Sequence, residues 1–354
     1  MIRRLLASAS LIAPASLVLF ASAAHATEEL NALIWCDHAD PALLEPFETA
    51  NDVKVNVREY EGTGVALALL EQSQPGDWDV FVIDGIDVGR AVDRDLLAEI
   101  PRDALPMDDI FAEVRMESQN SRDGKIYAVT EKFGYNTIAY DKTKVDPADM
   151  KDTANLFSDK YAGRMAIYDY YLPLMGMVQM AKGGTTADLT AADVEAMQAD
   201  LFKLKDNSTG VLGVVAAQTA LATGEVDIVV GGGEWLTAVL SAEKPELDWV
   251  IPDAGAVRWT QSIGVFKDSE KPELALKFVQ YILSPEGQAR LATSSCYWAM
   301  PANAAAGAHL SDAQKAALRW DEQAGYLANT QLYPAPDEDL DIAMQDAWAE
   351  MLQH

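Results

Sequence analysis

The stretch LNALIWCDHADPALLEPFETANDVKVNVREYEGTGVALALLEQSQPGDWDVFVID, Leu30–Asp84, decides the fold class. Its first seven residues are a short apolar run. "PALLEPFETAND" places Leu43, Leu44 and Phe47 at helical spacing, and "VKVNVREY" alternates as a strand does. "GVALALLEQ" reads as a second helix and "WDVFVID" as an apolar strand that ends in an acid. The order β-α-β-α-β predicts an α/β fold with a mainly parallel sheet and helices on its faces. In such sheets ligands bind beyond the carboxyl ends of the strands. Trp35–His38, Tyr60–Thr63 and Asp84–Asp87 are therefore the first places to look for a site.

Upstream, Arg3 and Arg4 precede an apolar run from Leu5 to Phe20, followed by the small-x-small signal Ala24-His25-Ala26. This predicts a secretory leader over residues 1–26, cut before Thr27. The run is short for a bilayer span. The mature chain, 27–354, is expected in a bacterial periplasm. The formal net charge of −28, made more negative by loss of the two leader arginines, argues against nucleic acid as a partner. Downstream, "YAVTEKFGYNTIAYD" (127–141) reads as a long aromatic-rich strand. "GRMAIYDYYLPLMGMVQMAKGG" reads as a strand, a turn crowded with aromatics around Pro173, then a helix. "AAQTALATGEVDIVVGGGEWLTAVL" reads as helix, strand, glycine run and helix, and "LDWVIPDAGAVRWTQSIGVFKD" as two strands. "KPELALKFVQYILSPEGQARLA" is amphipathic and helical, with a break at Pro285 and Gly287, and the C-terminal segment is helical and acidic.

Trp35-Cys36-Asp37-His38 holds the residue types of nucleophilic and metal chemistry. On a strand, Cys36 and His38 share a face and Asp37 points the other way, which is poor geometry for a nucleophile and its base. The mature chain has only two other histidines, His309 and His354. A structural metal needs about four ligands, and Cys36, His38 and Cys296 offer three. A metal site and a metal-dependent hydrolase using Cys36, Asp37 and His38 both stay open as alternatives. The two cysteines are an even count, which invites pairing in an oxidising compartment. Gly231-Gly232-Gly233 lacks the spacing and the following acid of a dinucleotide fingerprint. It reads as a tight turn, or as an anion contact at a helix start. No pattern calls for a cofactor.

The order of pieces resembles the extracellular solute-binding proteins of ABC importers, of the spermidine/putrescine-binding type. The opening "LIWCDHADPALLEPFETANDVKVNVREYEG", the strand "WDVFVID", the crossing strand "FGYNTIAYDKTKV" and "YAGRMAIYDYYLPLMGM" carry the likeness. So do "TGEVDIVVGGGEW" and "LKFVQYILSPEGQARLA" followed by "YWAMPANAAA". The resemblance implies a two-lobed periplasmic binding protein fold of type II, each lobe a mixed, mainly parallel sheet flanked by helices. Lobe one is expected over 27–138 plus 260–306, and lobe two over 139–259 plus 307–354. It also implies a monomer that performs no reaction, clamps a small amine in the cleft by hinge closure, and presents it to an inner-membrane permease.

Residue by residue, the likeness makes Trp35, Tyr170, Tyr171 and Trp259 an aromatic cage, with Phe133 and Tyr135 as further candidates that core packing explains equally well. It puts Asp37 close to the family's acidic position, with Asp84 and Glu131 as candidates to replace a missing family carboxylate, so that all three are expected to pair with ammonium groups, and it makes His38, Gln261 and Tyr297 hydrogen-bonding groups. Aromatic faces attract cations, and a desolvated ammonium needs charged acceptors. Two departures stand out. Gln261 replaces an acid of the family, and aromatics follow Asp169 where spermidine binders keep carboxylates. The ligand is then a polyamine such as putrescine or spermidine, or an amine with fewer charges, such as γ-aminobutyrate or a betaine. The likeness also brings Cys36 and Cys296 to one cleft, and so to a disulfide.

Overall fold

The computed structural model describes residues 27–354, and the leader expected over 1–26 lies outside the described residues. Strand β1 (Glu28–Ile34) runs parallel to β2 (Val53–Glu59) and β3 (Val80–Asp84). Helices α1 (Pro41–Asn51) and α2 (Thr63–Leu70) make the crossovers. Helix α1 starts sharply because Pro41 stands in its first turn and the Asp40 carboxylate accepts from the Ala42 N–H at 2.8 Å. Its buried Leu43, Leu44 and Phe47 are the residues whose spacing announced the helix.

The sheet continues through a long strand, β4 (Ala128–Asp141), buried along all 14 residues. Strands β5 (Met165–Tyr168), β6 (Ser208–Leu212) and β7 (Ile228–Gly232) follow it, with helix α3 (Tyr171–Ala181) after β5 and α4 (Val214–Thr223) after β6. Strands β8 (Leu247–Val250) and β9 (Ala256–Val265) come next. The order is β2-β1-β3-β9-β4-β7-β5-β6, with β8 on β4. The first half of β4 pairs antiparallel with β9, and the second half pairs with β7 and β8. One strand therefore belongs to two lobes. One apolar core gathers Leu33, Phe81 and Ile263, and the other gathers Ile138, Ile167 and Val229. Helices α5 (Pro272–Leu283) and α6 (Pro285–Ala292) meet at Ser284, whose hydroxyl accepts from the Gly287 N–H at 3.1 Å, so the Pro285–Gly287 break is a capped start. The C-terminal helix α7 (Glu338–Gln353) sends Met344 and Met351 into the second core. No helix among the described residues is long and apolar enough to cross a membrane.

Three local readings are corrected. Cys36–Ala39 is a single 3₁₀ turn rather than a strand continuation, so Asp37 and His38 lie side by side instead of on opposite faces. After the glycine run the helix lasts only Glu234–Thr237. Pro173 sits inside the first turn of α3, where its missing N–H has no intrahelical partner to lose, and the turn itself is at Asp169–Tyr170.

Register places the site. Asp84 on β3 is opposite Gln261 on β9, and Gln261 is opposite Lys132 on β4. Trp259 is opposite Gly134, and Val257 is opposite Asn136. Residues directly opposite share a face, so Asp84, Gln261 and Lys132 form one row across three strands. The β4–β9 register slips at Gln261/Ser262 and leaves Glu131 as an extra residue, which turns its side chain out of strict alternation.

Candidate ligand-binding site

A cavity opens where Asp84, Gln261, Trp259 and Asn136 share the cleft-side face of the sheet. Its wall is aromatic: Trp35, Tyr168, Tyr170, Trp235, Trp259, Tyr297 and Tyr333, with Val214 beside them. Its free volume is about 40 Å³, enough for a few waters or the slender end of a small ligand. The lining residues follow strand ends. Trp35 follows β1, Asp84 ends β3, and Tyr168 ends β5. Trp235 stands in the short helix after β7, and Tyr333 in the connection before α7.

The tryptophan of β9 depends on a glycine. A Cβ on Gly134 would stand 2.5 Å from the Trp259 ring and 2.0 Å from Glu234 Oε1. The bare backbone there lets the ring approach β4 closely and lets Glu234 accept the Tyr135 N–H at 2.9 Å. Trp259 meets Tyr297 edge to face, with centroids 6.1 Å apart. Tyr170 stands edge to face with Tyr333 at 5.6 Å. Behind Trp35, Tyr60 packs at 5.5 Å and donates to the Val82 carbonyl.

Asp84 is the one ionisable carboxyl of the lining, and no lysine, arginine or histidine lines the cavity among the described residues. Burial and the neighbouring Asp87 charge push its pKa up to about 7, with the Tyr170 hydroxyl, donating at 2.7 Å, working the other way. A buried acid beside aromatic faces, with no protein cation lining the same cavity among the described residues, has the chemistry to pair with a cation. Three more groups on the wall, Trp35 Nε1 and Trp235 Nε1 (donors) and Gln261 Oε1 (an acceptor), are buried and without a hydrogen-bond partner among the described residues.

Asp37, His38 and Glu131 stand elsewhere. With Lys132 they form a buried quartet, all with side chains 0 % exposed. Asp37 accepts from His38 Nδ1 at 2.9 Å and from Lys132 Nζ at 2.8 Å, and His38 Nε2 meets Glu131 Oε1 at 2.8 Å. Burial alone would raise the Asp37 pKa, but the charges of Lys132 and His38 outweigh it and hold the carboxyl well below the usual range. Burial alone would lower that of His38, but Glu131 and Asp37 drive it up to about 10. The expected ammonium partners are thus engaged with the protein's own cations. The physical reason is the 3₁₀ turn, which faces both Asp37 and His38 inward, together with the register slip that frees Glu131. Lys132, which sequence reasoning passed over, reaches the cavity wall indirectly: its Nζ lies 4.1 Å from the Tyr297 ring centroid and donates to the Tyr297 carbonyl at 3.2 Å.

Of the other expected residues, Trp35, Asp84, Tyr170, Trp259, Gln261 and Tyr297 line the cavity. Phe133 and Tyr135 point to the opposite face of β4 and pack in the first core against Phe111 and Trp249. Tyr171 lines a neighbouring, wider cavity with Glu61, Asp169 and Arg90, and donates to Asp341 at 2.6 Å. Asn136, Tyr168, Val214, Trp235 and Tyr333 went unread. The strand-end rule points to Tyr168, and alternation along β4 from Gly134 points to Asn136. Cys36 and Cys296 form a disulfide with Cα atoms 6.0 Å apart. Both thiols of the chain are consumed there, which removes the nucleophile from the hydrolase reading and two of the three ligands from the metal reading. The bridge ties the turn after β1 to the residue before Tyr297.

A sequence model of the bacterial extracellular solute-binding proteins matches residues 42–318. The spermidine/putrescine-binding periplasmic protein of Escherichia coli is 25% identical over 301 residues, covering 82% of this chain and 83% of its own. The putrescine/cadaverine-binding protein of Pseudomonas aeruginosa is 26% identical over 298 residues, covering 79% and 82%. Among solved structures, a putative spermidine/putrescine ABC transporter protein from Listeria monocytogenes superposes with a TM-score of 0.81 at 20% identity, covering 92% of this chain and 98% of its own.

Proposed function

Since the chain belongs to the bacterial extracellular solute-binding protein family, we propose that it is the periplasmic capture component of an ABC importer for a small amine, of the polyamine class or a smaller relative. The observation that carries this reading is the aromatic cavity with one buried, cation-free carboxyl, Asp84. The relatives named for putrescine, spermidine and cadaverine support the same ligand class. An ammonium on Asp84 restores its charge, and the rings around it accept the methylenes. Trp35, Tyr170, Trp259 and Tyr297 supply the faces, and Gln261 orients the ligand. With lobe one at 27–138 plus 260–306 and lobe two at 139–259 plus 307–354, hinge closure buries the ligand. The closed monomer then delivers it to an inner-membrane permease, with no chemical step on the way.

A second reading, an amine that also carries an acceptor such as γ-aminobutyrate, is favoured by one observation. Trp235 Nε1 is a buried donor on the wall with no partner among the described residues. An unfilled donor costs about 1–3 kcal/mol, which a ligand carboxylate or carbonyl recovers. The test is the thermal midpoint of ligand-stripped protein with putrescine, spermidine, cadaverine, γ-aminobutyrate, glycine betaine and neutral amino acids. A ligand at a hundred times its dissociation constant stabilises by about 2.7 kcal/mol. A rise with one or more amines and none with the neutral amino acids is expected. A flat response to every amine overturns the proposal.

A further inference from the structure

We propose that Lys132 is a built-in ammonium that fills what would otherwise be a second cation subsite, so that the cavity selects ligands with a single positive charge. The inference rests on the amine-capture reading above.

The row Asp84–Gln261–Lys132 crosses three adjacent strands on the cleft-side face. Neighbouring strands are about 4.8 Å apart, so the backbone positions at the two ends of the row are about 10 Å apart. At one end stands Asp84, a carboxyl among aromatic rings with no cation in the cavity lining among the described residues. At the other end the same chemistry recurs. The Asp37 carboxylate and the face of Tyr297, itself a cavity wall, flank one point, and there the Lys132 Nζ sits, 2.8 Å from Asp37 Oδ2 and 4.1 Å from the ring centroid. A carboxylate plus an aromatic face is what holds an ammonium. Here the ammonium is tethered to β4. His38 takes the other Asp37 oxygen, and Glu131 is spent on His38. The quartet is balanced within itself and offers a ligand no net negative charge. A second ligand ammonium arriving at Tyr297 would lose its water without finding a free counter-charge. A neutral tail meets no such cost and a carboxylate tail finds the unpartnered Trp235 Nε1 donor on the same wall, while Gln261, held by its Nε2 donating to the Tyr297 hydroxyl at 2.7 Å, marks the middle of the row.

The test compares two amines that differ by one ammonium, n-butylamine and putrescine, by calorimetric titration of the ligand-stripped mature chain at pH 8. γ-Aminobutyrate is run alongside. The wild type is expected to bind n-butylamine and γ-aminobutyrate at least about tenfold more tightly than putrescine. In Lys132→Met, Asp37 is released to a ligand, and the putrescine-to-butylamine ratio is expected to shift towards putrescine by about tenfold or more. Removing a buried charge risks the fold, so Asp37→Asn/Lys132→Met is tested too, with thermal unfolding as the check. That variant loses the cation and its partner together, and its ratio is expected to fall between those of the other two proteins. Tighter putrescine binding by the wild type overturns the proposal, as does a ratio that stays fixed in both variants while affinities fall together, which marks Lys132 as structural. Absence of binding by all three amines to the wild type is a different failure, that of amine capture itself.

Discussion

Two clusters of buried acid lie on the same sheet, and they have been treated in opposite ways. Asp37 and Glu131 are enclosed with His38 and Lys132 at 2.8–2.9 Å, and each carboxylate has a cation of the protein's own. Among the described residues Asp84, two strands away from Lys132 in the same row, meets the Tyr170 hydroxyl and the like charge of Asp87. Burial is nearly equal for both clusters. What differs is compensation. A compensated buried charge holds structure together, whereas an uncompensated one facing a cavity waits for a ligand. In the proposals above, the quartet serves rigidity and selectivity and Asp84 serves capture.

The largest effect expected from breaking the comparison is on stability. Lys132→Met leaves Asp37 and Glu131 with one cation between them, and removing one partner of a buried pair costs about 3–5 kcal/mol. Denaturant unfolding of the ligand-free protein should register this loss. Asp84→Asn is expected to leave the fold in place while weakening amine binding by about 2–5 kcal/mol, since it removes a desolvated charge partner; calorimetry reads the difference.

The pH dependence of capture sharpens the same contrast. The Asp84 pKa is raised to about 7, so the free protein is protonated there at lower pH, and an ammonium must displace that proton. Amine affinity is therefore full above about pH 7 and falls by about tenfold per unit below it. In Asp84→Asn that slope should vanish. Stability contributed by His38 runs differently: its pKa is raised to about 10, so its contribution is present at and below the ordinary histidine range and is lost only as pH rises through about 10. The smallest effect expected is from Trp235→Phe, which keeps the ring and removes the indole N–H. γ-Aminobutyrate should weaken by about 1 kcal/mol and n-butylamine hardly at all, measured by competition titration.

The same comparison explains what could be read from the sequence. Apolar periodicity revealed β1, α1, β2 and β3, because each buries one pattern of residues whose spacing is visible in the chain. The order of motifs gave the family likeness, and with it Trp35, Asp84, Tyr170, Trp259, Gln261 and Tyr297 as wall residues. The fate of Asp37 and Glu131 was hidden. It depends on a one-turn 3₁₀ segment, on a one-residue slip in register, and on Lys132, which lies 95 positions from Asp37 in the chain. Pairing of that kind leaves no periodic trace. Phe133 and Tyr135 have the residue type of a cage, but alternation from Gly134 gives the cavity face to Asn136. Tyr333 arrives from the C-terminal segment, and nothing local marks it.

The most direct measurement is a crystal structure of the protein with γ-aminobutyrate or n-butylamine bound, refined well enough to place the ligand nitrogen. That nitrogen is expected at about 2.7–2.9 Å from the Asp84 carboxylate, with Lys132 still on Asp37 and His38 still on Glu131. A ligand nitrogen on Asp37 or Glu131, with Lys132 displaced from the Tyr297 ring, would contradict that expectation.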